Sequence, residues 1–176
     1  MNKLAIALSA ALSLGAAASA NAAEATINFT GTISSVTCPI AAGGASGTAV
    51  TLMPTSISTI TNGSDAARET AFNLTLGNSG TKCPGETATI EFEKTNVETN
   101  GRLKNTASTG AAANVELALI YEDAEVNLQT STGIEADEVG DNTYLFPLKA
   151  RYEKLAAGDV TEGSFTSALG INVSYR

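Results

Sequence analysis

Residues 163–176 read Gly-Ser-Phe-Thr-Ser-Ala-Leu-Gly-Ile-Asn-Val-Ser-Tyr-Arg, and this stretch decides the fold of the 176-residue chain. Its large apolar side chains all fall on odd-numbered positions, which is the spacing of a β-strand with one buried and one solvated face. An apolar strand at the edge of a sheet needs a neighbour to cover it. We therefore expect an earlier strand of this chain or another polypeptide to lie beside Phe165, Leu169, Ile171, Val173 and Tyr175.

The beginning of the sequence has the features of an export signal. A positive charge precedes an apolar run over residues 4–14, and small residues lead to a cleavage pattern that ends at Ala22. The run is too short and too diluted by Ser and Gly for a transmembrane anchor. We predict a signal peptide over residues 1–22, with Ala20 and Ala23 as alternative ends, and a mature protein that does not insert into the membrane.

Composition restricts the partners of the chain. The formal net charge is −8, with 10 basic and 18 acidic residues. Nucleic acids and anionic membranes are bound chiefly through Lys and Arg, which neutralise phosphate. A chain with this charge is therefore expected to bind neither of them.

Enzymatic chemistry also lacks the residues that it needs. The sequence contains no His, which excludes Ser–His–Asp and Cys–His catalysis and imidazole metal ligands. Glu91 and Glu93 occupy the solvated face of a predicted strand, and the carboxylates of residues 135–141 crowd a predicted turn. We expect solvated charges at these positions, no catalytic, cofactor or metal site, and no enzyme activity.

The chain has two cysteines, Cys38 and Cys83. In an exported protein two cysteines are expected to form a disulfide. The loop that this bond closes would stabilise the fold by about 4 kcal/mol through lost chain entropy. Because CxxC spacing and His ligands are absent, we predict a structural bond and not a redox or metal site.

Period-two alternation recurs along the chain, separated by clusters of Gly, Ser and Asn. One short helix is expected within residues 57–68. Seven or eight short strands in a disulfide-bonded exported domain predict an all-β fold, an immunoglobulin-like β-sandwich. The alternative is a complete sandwich in which residues 27–33 pair within their own chain. The predicted strands before the terminal one cover residues 27–33, 36–38, 50–52, 72–76, 88–92, 115–121, 126–128 and 146–152.

Several sequence fragments, taken in order, carry a family resemblance. The first is Ile27-Asn-Phe-Thr-Gly-Thr-Ile-Ser-Ser-Val-Thr-Cys38, and Phe72-Asn-Leu-Thr-Leu76 then leads to the second cysteine. Phe146-Pro-Leu-Lys-Ala-Arg-Tyr152 follows, then Gly158-Asp-Val-Thr161, and the terminal strand places Gly163 fourteenth from the end. Over its whole length the sequence resembles the major pilin subunits of chaperone–usher fimbriae, the type 1 fimbrial group.

This resemblance implies an incomplete sandwich that lacks its last strand and is completed by donor-strand complementation. It implies an N-terminal donor-strand extension over residues 23–33 and a pilin domain over residues 34–176. The donor residues would be Ala23, Ala25, Ile27, Phe29 and Gly31. The strand contacted by the chaperone, which lines the groove, would carry Gly163, Phe165, Leu169, Ile171, Val173 and Tyr175.

The resemblance also implies partners and a location. A periplasmic chaperone would fill the groove first, and identical pilin subunits would then replace it in a homopolymer assembled at an outer-membrane usher. The chain would be exported through the periplasm to a fimbrium on the bacterial cell surface, which would also carry a tip adhesin. The implied function is that of a structural subunit that supports cell adhesion.

A second function from a different class remains open at the level of sequence. A minor or adhesive fimbrial subunit would bind a host glycan or a protein receptor through a surface cleft. Two-domain tip adhesins of this group carry an extra lectin domain, and the predicted mature chain is too short to hold one. A single-domain adhesive subunit is the remaining form of this alternative.

Overall fold

The structure is a computed structural model that describes residues 38–43, 48–78, 80–81, 83–140 and 142–176. These residues form two antiparallel β-sheets, one short α-helix and one turn of 3-10 helix, which confirms the all-β prediction. The strands are β1 (Ile40–Ala42), β2 (Glu69–Leu76), β3 (Thr87–Phe92), β4 (Leu103–Lys104), β5 (Val115–Tyr121), β6 (Ala124–Val126), β7 (Ile134–Asp137), β8 (Tyr144–Lys154) and β9 (Ile171–Tyr175); α1 spans Ile57–Asn62 and the 3-10 helix Asp65–Ala67.

The first sheet has the strand order β1-β2-β8-β5-β4, with β6 also paired to β5. Its long central strand β8 pairs with β2 on one side, where Tyr144 lies opposite Leu76, and with β5 on the other, where Leu148 lies opposite Tyr121. The even-numbered side chains of β8 from Tyr144 to Ala150 point inward and are buried. The alternation that predicted this strand therefore gives the sheet its core face.

The second sheet has the order β7-β3-β9. Its middle strand, β3, contributes Ala88, Ile90 and Phe92 to the core, and all three are buried. Inward side chains of both sheets join in one hydrophobic cluster that also contains the two cysteines. Within the described residues β9 pairs with β3 alone, so it forms an edge of this sheet.

The predicted short helix is present as α1. Ser56 caps it, because its Oγ accepts a hydrogen bond from the N–H of Thr59 at 3.1 Å. Its buried residue Ile60 joins Val115 and Val160 in a second, smaller cluster. Among the described residues, no helix has the length and apolar character needed to cross a membrane.

Some strand predictions differ from the structure. Residues 50–52 do not form a strand. Val50 and Leu52 are half-buried and pack against the core, but this segment forms no ladder with another strand of the described chain. The acidic stretch after residue 134, predicted as a loop, begins with strand β7, where Ile134 alone is buried opposite Ile90. A single large apolar residue followed by Glu and Asp gave no alternation to detect.

Two other predictions differ at their boundaries or lie outside the described residues. The strand predicted over residues 126–128 is β6, which lies two residues earlier and pairs with the end of β5. The strand predicted over residues 27–33 and the first two residues of the strand predicted over 36–38 lie outside the described part of the chain, as do the predicted signal peptide and donor extension.

Candidate binding groove

The C-terminal segment, residues 163–176, lies along the edge of the second sheet. Its odd-numbered side chains from Phe165 to Tyr175 point inward and the neighbouring Thr166, Asn172 and Ser174 are exposed, as the sequence pattern predicted. The ladder between this segment and β3 is shorter than predicted, because β3 ends at Phe92. The part of the segment before β9 forms backbone hydrogen bonds with loop residues instead. All of the inward apolar side chains are half-buried, although they pack against the core.

Backbone hydrogen bonds leave one side of this segment open. The carbonyl of Gly170 accepts from the N–H of Glu93 at 2.9 Å, and the N–H of Arg176 donates to the carbonyl of Thr87 at 3.0 Å. Successive residues of a strand direct their backbone groups to opposite edges. The N–H and C=O groups of the odd-numbered residues 165–175 therefore face away from β3, and they bond to no backbone group of the described residues.

An apolar groove of about 800 Å³ runs beside this open edge. One wall carries the side chains of Phe165, Leu169 and Ile171, and the opposite wall is formed by β1 and residues 48–52. Among the described residues that line the groove, none is charged. The floor is formed by inward side chains of the first sheet, chiefly Phe72, Leu74, Leu117, Leu119, Leu148 and Ala150.

The other predicted residues of the terminal strand lie beyond the two ends of this groove. Val173 and Tyr175 continue the same inward face, and the ring of Tyr175 lies 5.7 Å from that of Tyr144. The hydroxyl of Tyr144 donates to the carbonyl of Gly85 at 2.7 Å. Burial raises the pKa of both tyrosines, so both hydroxyls stay neutral at physiological pH.

Gly163 lies at the opposite end, where it lines a second cavity of about 610 Å³ together with Ile57 and Val160. Its φ is +152°, and a Cβ at this position would lie 2.4 Å from the backbone nitrogen of Ala112. Any side chain here would force the backbone apart. The glycine identified from the sequence is therefore required by close packing of two chain segments.

The last residue of the chain is held by backbone bonds. A backbone oxygen of Arg176 accepts from the N–H groups of Glu86 at 2.8 Å and Thr87 at 3.0 Å. A Cβ on Gly85, whose φ is +85°, would lie 2.6 Å from that oxygen. The guanidinium of Arg176 also bonds to Glu135 at 2.7 Å. These contacts fix the register of β9 on β3 and so fix which groups the open edge presents.

Charged side chains gather on the outer face of the first sheet, away from the groove. Arg151 bonds to Asp65 at 3.0 Å and lies 3.4 Å from Glu125. Arg102 bonds to Glu125 at 2.7 Å, and this hydrogen bond lowers the pKa of the Glu125 carboxyl. Ion pairs thus stabilise the outer face, while the groove keeps the apolar character that a buried strand requires.

The predicted disulfide is confirmed. Cys38 and Cys83 are bonded, their Cα atoms are 5.6 Å apart, and both residues are buried. The bond connects the segment just before β1, on the wall opposite β9, to the segment that leads into β3. It thereby links the two sheets.

The predicted donor residues Ala23, Ala25, Ile27, Phe29 and Gly31 lie outside the described residues. Groups of three or more potential metal ligands are absent from the part of the chain that the structure describes.

Sequence reasoning missed the wall opposite β9. The apolar residues Val50 and Leu52 carry the relevant signal, but their alternation predicts a strand and not an unpaired segment that lines a groove. Ser167 was also overlooked. No role was predicted for this residue, although it lines the groove and its Oγ is buried without a partner among the described residues.

Comparison with known proteins identifies the family. The family profile described as Fimbrial protein matches residues 27–176. The chain is 37% identical over 172 residues to "Major fimbrial subunit SMF-1" of Stenotrophomonas maltophilia (strain K279a), a match that covers 89% of this chain and 95% of the relative.

Solved structures share the fold at low sequence identity. A chaperone–usher pilus structure that concerns the molecular basis of rod uncoiling has a TM-score of 0.56 at 18% identity, covering 87% of this chain and 96% of that chain. The P pilus rod subunit PapA has a TM-score of 0.52 at 17% identity, covering 86% and 100%. These likenesses support the immunoglobulin-like fold, and the sequence matches show that the chain belongs to the fimbrial protein family, a family of structural pilin subunits and not of enzymes.

Proposed function

We propose that this protein is the major structural subunit of an extracellular fimbria and that it polymerises by donor-strand exchange. The observation that carries the proposal is the open edge of residues 165–175 beside an uncharged apolar groove. The name of the relative "Major fimbrial subunit SMF-1" supports the major structural role over the adhesive one.

The groove requires an extended apolar segment as its occupant. Backbone groups of an added strand would bond to the free N–H and C=O groups of the edge, while alternate side chains would enter the groove. The half-buried Phe165, Leu169 and Ile171 would then become buried, which favours binding by about 25 cal/mol per Å² of apolar surface. Residues 23–33 have the required alternation, with Ala23, Ala25, Ile27, Phe29 and Gly31 on one face.

A segment donated by one copy to the next produces a fibre. The donor and the acceptor surfaces are different parts of the chain, so the contact is head-to-tail and does not close on itself. Before assembly, a periplasmic chaperone would cover the same groove, and an outer-membrane usher would exchange the chaperone for the next subunit. The fimbria would then extend from the bacterial cell surface, carry a tip adhesin and support adhesion.

The decisive experiment separates the donor from the acceptor. Phe29→Asp would place an unpaired carboxylate in an apolar groove, at a cost of several kcal/mol (roughly 2–7 for a polar group). This variant should still be recovered with its chaperone, because its own groove is intact, but it should not donate to the next subunit. Asn28→Asp, on the other face of the donor, is the matched control and should polymerise.

Ile171→Asp should have the reverse effect. It places a charge in the acceptor wall, so chaperone capture should fail and the subunit should be degraded in the periplasm. The matched control is Ser174→Asp, whose side chain is exposed. Chaperone pull-down and electron microscopy of fibres provide the measurements. Equal chaperone recovery of the Phe29→Asp and Ile171→Asp variants, or a stable monomeric wild type, would overturn the proposal.

A further inference from the structure

We propose that Asn96 and Asn105 are positioning residues for strand exchange, because their side chains hold the first part of the open edge, residues 164–168, where no neighbouring strand does so. This inference rests on the proposed function, since the position of the edge matters for exchange only if an added strand pairs with it. It goes further by assigning a role in that pairing to two residues that lie after β3 and outside the strands.

The inner side of the terminal segment changes along its length. Strand β9 pairs with β3, and the carbonyl of Gly170 still accepts from the backbone N–H of Glu93 at 2.9 Å. The ladder goes no further, because β3 itself ends just before Glu93. Residues 164–168 therefore have no strand ladder on either side within the described chain, and a single parallel bridge joins Ser164 to Ala111.

Asn105 is the centre of the contacts that take the place of a ladder. Its Nδ2 donates to the carbonyl of Ser164 at 2.8 Å and to that of Ala112 at 2.9 Å. Its Oδ1 accepts from the backbone N–H of Thr166 at 3.0 Å and from that of Ala107 at 3.1 Å. A primary amide has two donors and an oxygen with two lone pairs, so its full hydrogen-bonding capacity is used. Two of these bonds reach the terminal segment and two reach the loop of Asn105, so the side chain ties one to the other.

Asn96 and Thr106 complete the inner side of this stretch. The Nδ2 of Asn96 donates to the carbonyl of Ala168 at 2.9 Å. The backbone N–H and the hydroxyl of Thr106 both donate to the carbonyl of Thr166, at 2.7 Å and 2.9 Å. The carbonyls of residues 164, 166 and 168 are therefore all bonded, and an asparagine amide serves the first and the last of them.

The two side chains, which we call the asparagine clamp, prepare the edge for an added strand. A segment with free backbone groups on its outer side and no ladder on its inner side frays, and a strand that binds it must order it at the expense of affinity. With the clamp in place, the outward backbone groups of Phe165 and Ser167 are already aligned. The clamp thus strengthens the binding of a strand that it does not touch.

The test measures how long the full-length exported subunit keeps its chaperone, by exchange with fluorescently labelled chaperone. Asn105→Ala removes four hydrogen bonds. It should accelerate release on the order of tenfold, and Asn96→Ala should do so by about threefold, because a lost hydrogen bond typically changes an equilibrium by a few-fold.

The matched control for general loss of stability is Asn127→Ala. The Asn127 side chain also organises a loop, since its Oδ1 accepts from the N–H groups of Gln129 at 3.0 Å and Thr130 at 3.2 Å. Its side-chain bonds among the described residues do not include the terminal segment. This variant should release the chaperone at the wild-type rate.

Asn105→Asp separates hydrogen bonding from packing, because the two side chains have the same shape. At neutral pH its carboxylate still accepts the two backbone N–H bonds but repels the two carbonyl oxygens that the amide served, so release should be fast. Protonation supplies one O–H donor, so release should slow again as the pH falls from about 7 toward 4. Asn172→Asp, at an exposed position of β9, is the control and should show no such recovery.

The outcomes separate the clamp from the proposed function. Wild-type release by Asn105→Ala, equal acceleration by Asn127→Ala, or wild-type release by Asn105→Asp at neutral pH would overturn the clamp while leaving strand exchange intact. If Asn105→Ala is degraded before purification, Asn96→Ala and Asn105→Asp decide between the same outcomes. An unmodified protein that forms no fibres with its chaperone and usher would instead overturn the proposed function.

Discussion

Strands β8 and β9 have the same alternation of apolar and polar residues but different burial. In β8 the inward side chains Tyr144, Phe146 and Leu148 are buried, and the strand has a neighbour on each side. In β9 the inward Ile171 and Val173 are half-buried, and within the described chain the strand has β3 as its neighbour. Alternation thus specifies which face of a strand is inward. It does not specify whether the chain itself supplies the neighbour that completes the core.

Giving β9 a second neighbouring strand should have the largest effect on the difference in burial between β8 and β9. A copy of residues 23–33 attached after Arg176 by a flexible linker can fold back along β9 and cover the groove within one chain. Burying the apolar side chains of both strands should raise the free energy of unfolding by on the order of 5 kcal/mol and give a stable monomer. Denaturant unfolding and analytical ultracentrifugation provide the measurements.

The matched control for this extended variant carries the same attached copy with its Phe29 position changed to Asp, which should remove most of the gain. The unmodified mature chain should aggregate or unfold at a much lower denaturant concentration. If it were already a monomer with a comparable unfolding midpoint, the groove would not be an open site.

Removing the disulfide should weaken the whole domain without changing the contrast between β8 and β9. Replacing Cys38 and Cys83 together by Ala should lower the free energy of unfolding by about 4 kcal/mol, measured in the variant with the attached strand. The amount of subunit that reaches the fibre should also fall. Mass spectrometry that found both thiols free in the exported wild type would contradict the structural role of the bond.

Truncation of one inward residue in each strand sharpens the comparison directly. Leu148→Ala should cost about 3 kcal/mol whether the groove is filled or not, because Leu148 is already buried. Ile171→Ala should cost about 1 kcal/mol in the open subunit and more when the attached strand is present. Equal costs for Ile171→Ala in the two forms would mean that the added strand does not lie against it.

The smallest expected effect on stability concerns the charged outer face of the first sheet. This face is the same in the open subunit and in the variant with the attached strand. The Arg102 hydrogen bond lowers the pKa of Glu125 from its ordinary value of 4.5. A carboxyl whose folded pKa is lowered stabilises the protein above the unfolded pKa, and that stabilisation is lost as the pH falls through the folded value. Arg102→Gln should therefore cost at most about 1 kcal/mol at neutral pH and flatten the pH dependence below 4.5.

Unfolding free energies at neutral pH and at acid pH measure this effect. Lys104→Gln is the control, because the ion pairs between described residues do not include Lys104. The same pH dependence should be found with and without the attached strand. A difference between the two forms would show that the outer face responds to filling of the groove.

The sequence predicted the fold class, the disulfide and the inward face of the terminal strand, because these follow from local spacing and from two cysteines in a chain with a predicted export signal. It did not predict the groove wall at residues 48–52, because an extended segment that packs without a ladder has the same alternation as a strand. Strand β7 escaped prediction because Ile134 is its sole buried residue. The packing of Phe165 against Tyr152 also escaped prediction, because only the tertiary structure brings these two rings together.

The position of the disulfide has a mechanical consequence. Strand β1 is held to β2 by three residue pairs, from Ile40 to Ala42, and a tether that ended there could be peeled away one hydrogen bond at a time. Tension delivered through residues that precede Cys38 instead reaches a covalent bond first. That bond transfers the load to Cys83 and from there to β3, which lies in the middle of the second sheet. In a subunit under tension, β3 would therefore have to separate from its neighbouring strands before β1 could detach from β2.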